Sequence, residues 1–188
     1  YQVIERPAIC SNYRRYEICG MGPPSSGAIT VSQTLGILSF FELTERSPND
    51  AETWHLIGEA SRLAFSDRGL YIADPDFTKL PTGLLSEEYL RSRAQLILSN
   101  KPADSVQPGA PEQVNSLPFS HGRSPEQAST SHFVIVDKQG NIVSMTSTIE
   151  NGFGSRIMTK GFLLNNELTD FSFRSETNGA LIANRVEA

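Results

Sequence analysis

The chain has 188 residues, of which 38% are hydrophobic and 20% charged, so it can bury a sizeable globular core. Its net charge of -5 is spread along the sequence without a cluster of lysines and arginines, so we expect no nucleic-acid partner. No apolar run approaches the ~20 residues that span a bilayer, and we expect no membrane segment in this chain. No group of Cys, His and carboxylate residues has metal-ligand spacing, so we expect no metal site.

A hairpin is predicted within residues 1–20, with its turn near Arg14 and Arg15. Cys10 and Cys19 flank this turn, and simple strand pairing sets them opposite each other. Such a placement permits a disulfide bond in an oxidising compartment, and two half-buried thiols on adjacent strands are the alternative. The sequence leaves this choice open.

Two helices are predicted next. The first follows a break at residues 22–27, GPPSSG, and its apolar positions share one face as far as about Arg46. Asn49 and Glu52 have the spacing of a capping box, which predicts the start of a second helix over residues 50–65.

Residues 66–77 mix Gly, Pro and Asp in a way that is typical of an ordered loop. Within it, we expect Asp67 and Arg68 to form a buried ion pair that closes the loop. Ser86 can cap a third helix that runs to about Ser99.

The composition changes over residues 101–129, where five prolines and five serines replace the apolar periodicity. This linker-like stretch divides the sequence into a region of residues 1–100 and a region of residues 130–188. Beyond it, residues 132–137 and 142–148 are strand-like and are separated by a short glycine-containing turn. The pattern predicts a β-hairpin.

A linker that runs directly into Ser129, Thr130 and a hairpin fits a self-cleaving precursor. Threonine is a poor nucleophile at its ordinary pKa, but a free α-amino group on the same residue, with a pKa near ~8, can act as its base. Taken alone, a solvated loop entering an ordinary strand explains the same pattern. We interpret His132 as a structural or surface residue, because strand alternation is taken to direct its side chain away from Thr130.

Long motifs carry a family resemblance. STSHFVIVDKQGNIVSMTSTIENGFGS, at residues 129–155, closely resembles the start of the small subunit of γ-glutamyltranspeptidases, which are N-terminal nucleophile hydrolases. GFLLNNELTDFS, at residues 161–172, resembles the next motif of that family. Upstream, GMGPPSSGAITVSQTLGIL and EASRLAFSDRGLYIADPDF are similar to the last part of the large subunit.

The resemblance implies an α+β protein with the αββα sandwich of N-terminal nucleophile hydrolases, incomplete in this chain. Residues 1–100 would belong to the end of the large subunit and residues 130–188 to the start of the small subunit, with the cleavage point at the end of the linker. Localisation is unknown from these residues, and the family suggests the periplasm or the extracellular space. No cofactor is implied.

The family's roles transfer to four matching positions. Thr130 would be the catalytic threonine, which first cleaves the bond after Ser129 and later forms a γ-glutamyl ester. Thr148 would orient this nucleophile through its hydroxyl. Asp170 and Glu167 would bind the α-amino group of the substrate, for which negative charge is suitable.

Two positions depart from the family's pattern and leave substrate preference open. Glu150 stands where many members have an asparagine that contacts the glutamyl group, and Thr169 replaces a common aspartate. The main interpretation is transfer or hydrolysis of γ-glutamyl groups from glutathione-type substrates. The alternatives are a glutaryl- or cephalosporin-type acylase and a non-catalytic binding relative of the same fold.

In the family, a glycine pair holds the oxyanion, while an arginine and a serine pair hold the substrate carboxylate. We expect these groups to lie outside the 188 residues, in the remainder of the large and small subunits. The isolated chain is therefore expected to be inactive. It is also expected to expose apolar edges, which it can cover by self-association.

Overall fold

The computed structural model of the protein describes residues 2–98, 101–112, 119–122 and 130–186. Among these residues, no helix combines the length and the apolarity that crossing a bilayer requires.

The chain forms two compact units. Unit 1 comprises Tyr1–Gly122 with Arg174–Ala188, and unit 2 comprises Arg123–Phe173. These units differ from the predicted regions, because residues from both sides of residue 129 belong to unit 1. The predicted boundary at residue 129 marks a cleavage point and not the edge of a compact unit. This cleavage point stays a prediction.

The predicted N-terminal hairpin is confirmed. Strand β1 (Ile9–Tyr13) pairs antiparallel with strand β2 (Tyr16–Gly20), and Cys10 lies directly opposite Cys19. These two cysteines form a disulfide bond, which decides between the alternatives that the sequence left open.

Three α-helices follow within the described residues, and the first and the third are shorter than predicted: the third ends at Ala94 and not near Ser99. Helix α1 (Gly27–Leu38) ends well before Arg46 because its last turn tightens. There, Phe40 and Phe41 donate their backbone N–H groups to carbonyls three residues back, in the 3₁₀ pattern of many helix ends. The Ser39 hydroxyl also donates to the Gly36 carbonyl at 2.6 Å.

Helix α2 (Ala51–Tyr71) is longer than predicted, and its N-cap is Asp50, not Asn49. The Asp50 carboxylate accepts from the backbone of Glu52 at 3.3 Å. The sequence analysis ended this helix too early because its buried face continues through Asp67. A search for apolar periodicity ignores a charged residue, even one that is buried.

Asp67 does not pair with Arg68 as expected. Neighbouring side chains on a helix do not face each other, and the partner of Asp67 is Arg93, at 3.2 Å. Arg93 belongs to helix α3 (Glu87–Ala94), whose predicted cap is confirmed: the Ser86 hydroxyl accepts from the backbone of Tyr89 at 3.3 Å.

The core of unit 1 lies between the three helices. Burying each Leu or Ile side chain there contributes about 1.5–3 kcal/mol. The residues of its larger buried cluster are Ile37, Leu38, Leu56, Ala60, Leu63, Leu90, Ala94 and Ile97. The chain then passes to a two-residue strand, β3 (Phe119–Ser120).

Unit 2 is built on the second predicted hairpin, which is also confirmed. Strand β4 (Ser131–Val136) pairs antiparallel with strand β5 (Ile142–Ser147). In the turn, the Asp137 carboxylate accepts from the side chain and the backbone of Asn141, and these bonds lower the pKa of Asp137. Both faces of the hairpin expose apolar side chains, a pattern typical of an inner strand pair of a larger sheet.

A smaller hairpin follows in unit 2, formed by strands β6 (Met158–Thr159) and β7 (Phe162–Leu163). A short 3₁₀ helix, Glu167–Asp170, ends this unit. The chain then returns to unit 1 as strands β8 (Glu176–Thr177) and β9 (Ala180–Ile182). They form a three-stranded sheet in the order β3-β9-β8.

Candidate active site

Thr130 and Thr148 stand at the open end of the main hairpin of unit 2. Thr130 immediately precedes β4, and Thr148 immediately follows β5. The strand register pairs Ser131 with Ser147, so its extension by one residue sets Thr130 opposite Thr148. Residues opposite each other in antiparallel strands share a face, which is the arrangement that a nucleophile and an orienting hydroxyl require.

The Thr148 hydroxyl accepts a hydrogen bond from the backbone N–H of Glu150 at 2.8 Å. A hydroxyl that accepts through its oxygen still has its own proton to donate. This bond therefore fixes the oxygen of Thr148 and leaves it able to donate to a neighbouring threonine.

The expected placement of His132 was wrong. His132 lies two residues from Thr130, not one, so alternation along β4 gives both side chains the same face. Its ring contacts the hydroxyls of Thr146 and Ser144 on β5, at 2.8 and 3.1 Å. One face of the hairpin thus carries a row of hydroxyl and imidazole groups that leads to Thr130.

The loop after Thr148 is held against the segment that follows β7. The Asn166 side chain accepts from the backbone of Asn151 at 2.9 Å, and the Asn166 N–H donates to the Ile149 carbonyl at 3.4 Å. Gly154 has a positive φ of 52°, and a Cβ atom there would collide with the carbonyl oxygen of Leu164. The two segments therefore approach closely, and glycine is required at the contact.

This close approach gathers three carboxylates. Carboxylate oxygens of Glu150, Glu167 and Asp170 all lie within 4.8 Å of one another. Glu150 is only 7% exposed and has a positive φ of 70°, a conformation that non-glycine residues rarely adopt. One carboxylate oxygen of Glu167, Oε1, is buried without a hydrogen-bond partner.

Repulsion between the negative charges of this carboxylate cluster favours the binding of a cation. Burial raises the pKa of the Glu167 carboxyl, and the negative charges of Asp170 and Glu150 raise it further. A positively charged group placed between the three residues would relieve this repulsion and supply the missing partner of Glu167.

A protonated amine and a hard metal ion are the cations that such oxygen donors accept. Three carboxylates are fewer than the six to eight oxygen ligands typical of Ca²⁺. Cys10, Glu17 and Cys19 form another close group, but both sulfur atoms are used in the disulfide bond. The carboxylate cluster is therefore the cation site best supported within the described residues.

Asn165 and Asn166 are the site-building residues that sequence reasoning missed, and the structure gives Thr169 a contact with Asn166 that was not foreseen. The Asn166 amide donates to the Thr169 hydroxyl at 3.2 Å, and that hydroxyl donates to the Asn166 carbonyl at 3.0 Å. Asn165 adds a third bond by accepting from the backbone of Glu167 at 3.0 Å. The paired asparagines before Glu167 are a turn signal that could have indicated this bend. Ser129 lies outside the described residues.

A family model described as gamma-glutamyltranspeptidase matches residues 1–188. The chain belongs to the γ-glutamyltranspeptidase family. It is 37% identical over 179 residues to the glutathione hydrolase proenzyme of Escherichia coli (strain K12), which covers 92% of this chain and 29% of that protein. It is 32% identical over 173 residues to the Acylase ACY 1 proenzyme of Pseudomonas sp. (strain V22), which covers 91% of this chain and 29% of that protein.

Structural comparison agrees with this membership. The cephalosporin acylase from Bacillus halodurans matches with a TM-score of 0.70 and 25% identity, covering 95% of this chain and 30% of that one. The likeness confirms the expected α+β class, of which this chain contains an incomplete part. The chain spans about three tenths of the length of the relatives it matches.

Proposed function

We propose that the full-length protein transfers or hydrolyses γ-glutamyl groups, with Thr130 as a nucleophile that self-cleavage exposes. The observation that carries the substrate assignment is the cluster of Glu150, Glu167 and Asp170. A γ-glutamyl donor carries an α-ammonium group, a cation that would offset the repulsion acting on Glu167 and give its Oε1 atom a hydrogen-bond partner. The cluster begins two residues after Thr148, and the 2.8 Å bond between Thr148 and the backbone of Glu150 couples it to the hairpin.

Maturation and turnover would use the same hydroxyl. In maturation, the oxygen of Thr130 attacks the carbonyl carbon of Ser129, and the peptide C–N bond breaks as an ester forms. Water then hydrolyses the ester, leaving a carboxylate on Ser129 and a free α-amino group on Thr130. Cleavage of the bond after Ser129 thus creates the α-amino group that serves as the general base in turnover.

In turnover, the α-amino group of Thr130 takes the proton from its own hydroxyl as the oxygen attacks the γ-carbonyl carbon of the donor. The amide C–N bond breaks, and the leaving amine receives that proton. Thr148 donates a hydrogen bond that orients the nucleophile. Water or an acceptor amine then releases the glutamyl group from the ester and restores the hydroxyl of Thr130.

The carboxylate cluster favours a γ-glutamyl donor over the glutaryl donor of an acylase. A glutaryl group has the same chain length but lacks the α-ammonium group, so it would neither offset the charge repulsion that raises the pKa of Glu167 nor give its Oε1 atom a hydrogen-bond partner. The similarity to an acylase proenzyme keeps that activity as the second candidate. A non-catalytic binding relative is the third candidate, and the absence of any turnover would identify it.

Replacing Asp170 with asparagine in the full-length protein tests this assignment. We expect KM for a chromogenic γ-glutamyl amide to rise roughly 10- to 100-fold, since a hydrogen bond to a charged group contributes about 1.5–3 kcal/mol. The rate for the matching glutaryl amide should not change. Cleavage into two subunits should also continue, because Asp170 serves the substrate only.

The matched control is Asp104→Asn, which removes an exposed carboxylate from unit 1. Equal losses with both amides would contradict the role of Asp170 in binding the amino group. Addition of EDTA should leave KM unchanged, whereas a loss of donor binding would indicate a metal ion in the cluster.

Glu167 should make donor binding dependent on pH. Its ionised form attracts the ammonium group, and its raised pKa means that it becomes protonated at a higher pH than an ordinary glutamate. KM for the γ-glutamyl amide should therefore rise as pH falls through this pKa, while the ammonium group stays charged. In Glu167→Gln, KM should be high and independent of pH over the same range. A parallel pH dependence of KM in both proteins would contradict the proposal.

The isolated 188-residue chain should be inactive, because the family's oxyanion donors are expected in the remainder of the two subunits. We propose that those parts also cover the apolar faces of β4 and β5, and that the chain alone self-associates through them. The disulfide between Cys10 and Cys19 supports a periplasmic or extracellular location, where such bonds persist.

A further inference from the structure

The disulfide bond between Cys10 and Cys19 lies on the outer face of the N-terminal hairpin. Side chains alternate along β1 and over the last four residues of β2, so one face is half-buried and the other is exposed. Both cysteines belong to the exposed face, as does Glu17. Small molecules in solution can therefore reach the two sulfur atoms.

The half-buried face packs the hairpin against the rest of unit 1. The Ser11 hydroxyl donates to the Ser32 hydroxyl of α1 at 2.7 Å. Ile9 and Tyr13, on the same face, pack against buried apolar residues. None of these contacts involves a sulfur atom, so none of them is lost when the S–S bond opens.

A carboxylate stands beside the disulfide bond. A carboxylate oxygen of Glu17 and the Sγ atoms of Cys10 and Cys19 all lie within 4.8 Å of one another. Thiol–disulfide exchange begins when a thiolate approaches one sulfur atom, and a negative charge at this distance repels it. The repulsion grows when the incoming thiol carries further negative charge, and an ammonium group on the thiol offsets it. Glu17 is thus placed to select among thiols by their charge.

We propose that the Cys10–Cys19 bond is a surface site of exchange with small thiols, and that Glu17 makes this exchange selective against anionic thiols. The favoured ligand is a neutral or cationic thiol of low molecular weight. Glutathione has two carboxylates and one ammonium group besides its thiol, so it is disfavoured. The exchange itself uses neither Thr130 nor the carboxylate cluster. Only its consequence rests on the proposed function: the selectivity slows reduction of the bond by glutathione-type donors.

The exchange takes two steps. A thiolate of the small molecule attacks the Sγ atom of one cysteine, the S–S bond breaks, and its electron pair goes to the other cysteine, which takes a proton from water. A second thiolate then attacks the small molecule's sulfur in this mixed disulfide. The protein is left with two thiols. The two small-molecule thiols supply the two electrons and leave as their own disulfide.

Timed reduction of the full-length Thr130→Ala protein, which is not expected to consume glutathione, tests the proposal. Glutathione or cysteamine, an aminothiol with an ammonium group, is added, and iodoacetamide traps the free thiols at intervals. Trypsin cuts after Arg14 and Arg15, so the two cysteines fall on separate peptides that mass spectrometry can count. Adding Glu17→Gln should raise the rate with glutathione roughly threefold and leave the rate with cysteamine within about twofold. Each rate is compared with that of the same thiol in the presence of Glu17, so differences between the thiols cancel.

Salt and a matched variant separate charge from structure. At about 1 M salt the Debye length is only ~3 Å, so the threefold difference should disappear. Glu45→Gln removes an exposed carboxylate from the loop after α1 and should change neither rate. Resistance of the bond to both thiols until urea unfolds the protein would overturn the exchange site. Equal acceleration with both thiols, or a difference that persists at high salt, would overturn the selectivity. Turnover of γ-glutamyl amides does not enter this measurement, so a failure of the proposed function would leave it interpretable.

Discussion

Replacing Thr130 with alanine in the full-length protein is expected to abolish both cleavage after Ser129 and turnover of γ-glutamyl amides. One hydroxyl serves both reactions, and without cleavage Thr130 has no free α-amino group to act as a base. Loss of a catalytic nucleophile typically costs on the order of 10⁴-fold or more in kcat. A denaturing gel should show one uncleaved chain, and circular dichroism should show that this chain is folded.

Two matched variants make the Thr130 result specific. Thr130→Ser retains a hydroxyl and should still mature and turn over substrate. Ser131→Ala removes the next hydroxyl along the chain, whose side chain alternates to the other face of β4, and it should leave both reactions intact. If Thr130→Ala still matured into two subunits, the cleavage point would have to lie elsewhere.

The main hairpin of unit 2 could be predicted from sequence because its signals are local. Two short strand-like apolar runs joined by a turn that contains Gly140 specify the hairpin, and its register brings Thr130 opposite Thr148. The error over His132 came from counting two residues as adjacent. Alternation, correctly applied, predicts the face on which the structure has His132.

The carboxylate cluster could be proposed only through the family resemblance. In sequence, Glu150 and Asp170 are 20 positions apart, and each has the appearance of a solvated loop residue. They meet because the side chain of Asn166 and the close backbone contact at Gly154 fold two segments together. Such contacts between distant segments leave no periodic signal.

Strands β8 and β9 illustrate a local signal that was overlooked and a long-range pairing that sequence patterns do not contain. The Asn178-Gly179 pair is a strong hairpin signal that the sequence analysis did not use. The parallel pairing of β9 with β3 could not be predicted by any local rule, because it joins residues about 60 positions apart across the predicted cleavage point.

The second large effect is expected from Asp67→Ala in the 188-residue chain. Asp67 is 1% exposed, and its carboxylate accepts from Gln33 at 3.0 Å and from the Tyr89 hydroxyl at 2.7 Å. It also lies 3.2 Å from the guanidinium of Arg93 and accepts from the backbone of Gly109. The substitution would remove the acceptor of the Tyr89 hydroxyl and of the Gly109 N–H, and it would leave the buried charge of Arg93 without its carboxylate.

Breaking a buried ion pair by removing one partner typically costs about 3–5 kcal/mol, which is a large part of the total stability of a domain. Urea unfolding followed by far-UV ellipticity measures this loss, since helices α1, α2 and α3 all belong to unit 1. Asp104→Asn is the control and should unfold like the unmodified chain. A loss below about 1 kcal/mol would mean that water reaches Arg93 and replaces the carboxylate.

A double variant separates the charge of Asp67 from its shape. Replacing Asp67 with leucine and Arg93 with methionine removes both charges together, so no buried ion is left alone. We expect this protein to be more stable than Asp67→Ala by urea unfolding, although the backbone N–H of Gly109 still lacks its acceptor. If the double variant were as unstable as Asp67→Ala, the loss would come from the unpaired donors around Asp67. The ion pair with Arg93 would then contribute little to the packing of the three helices.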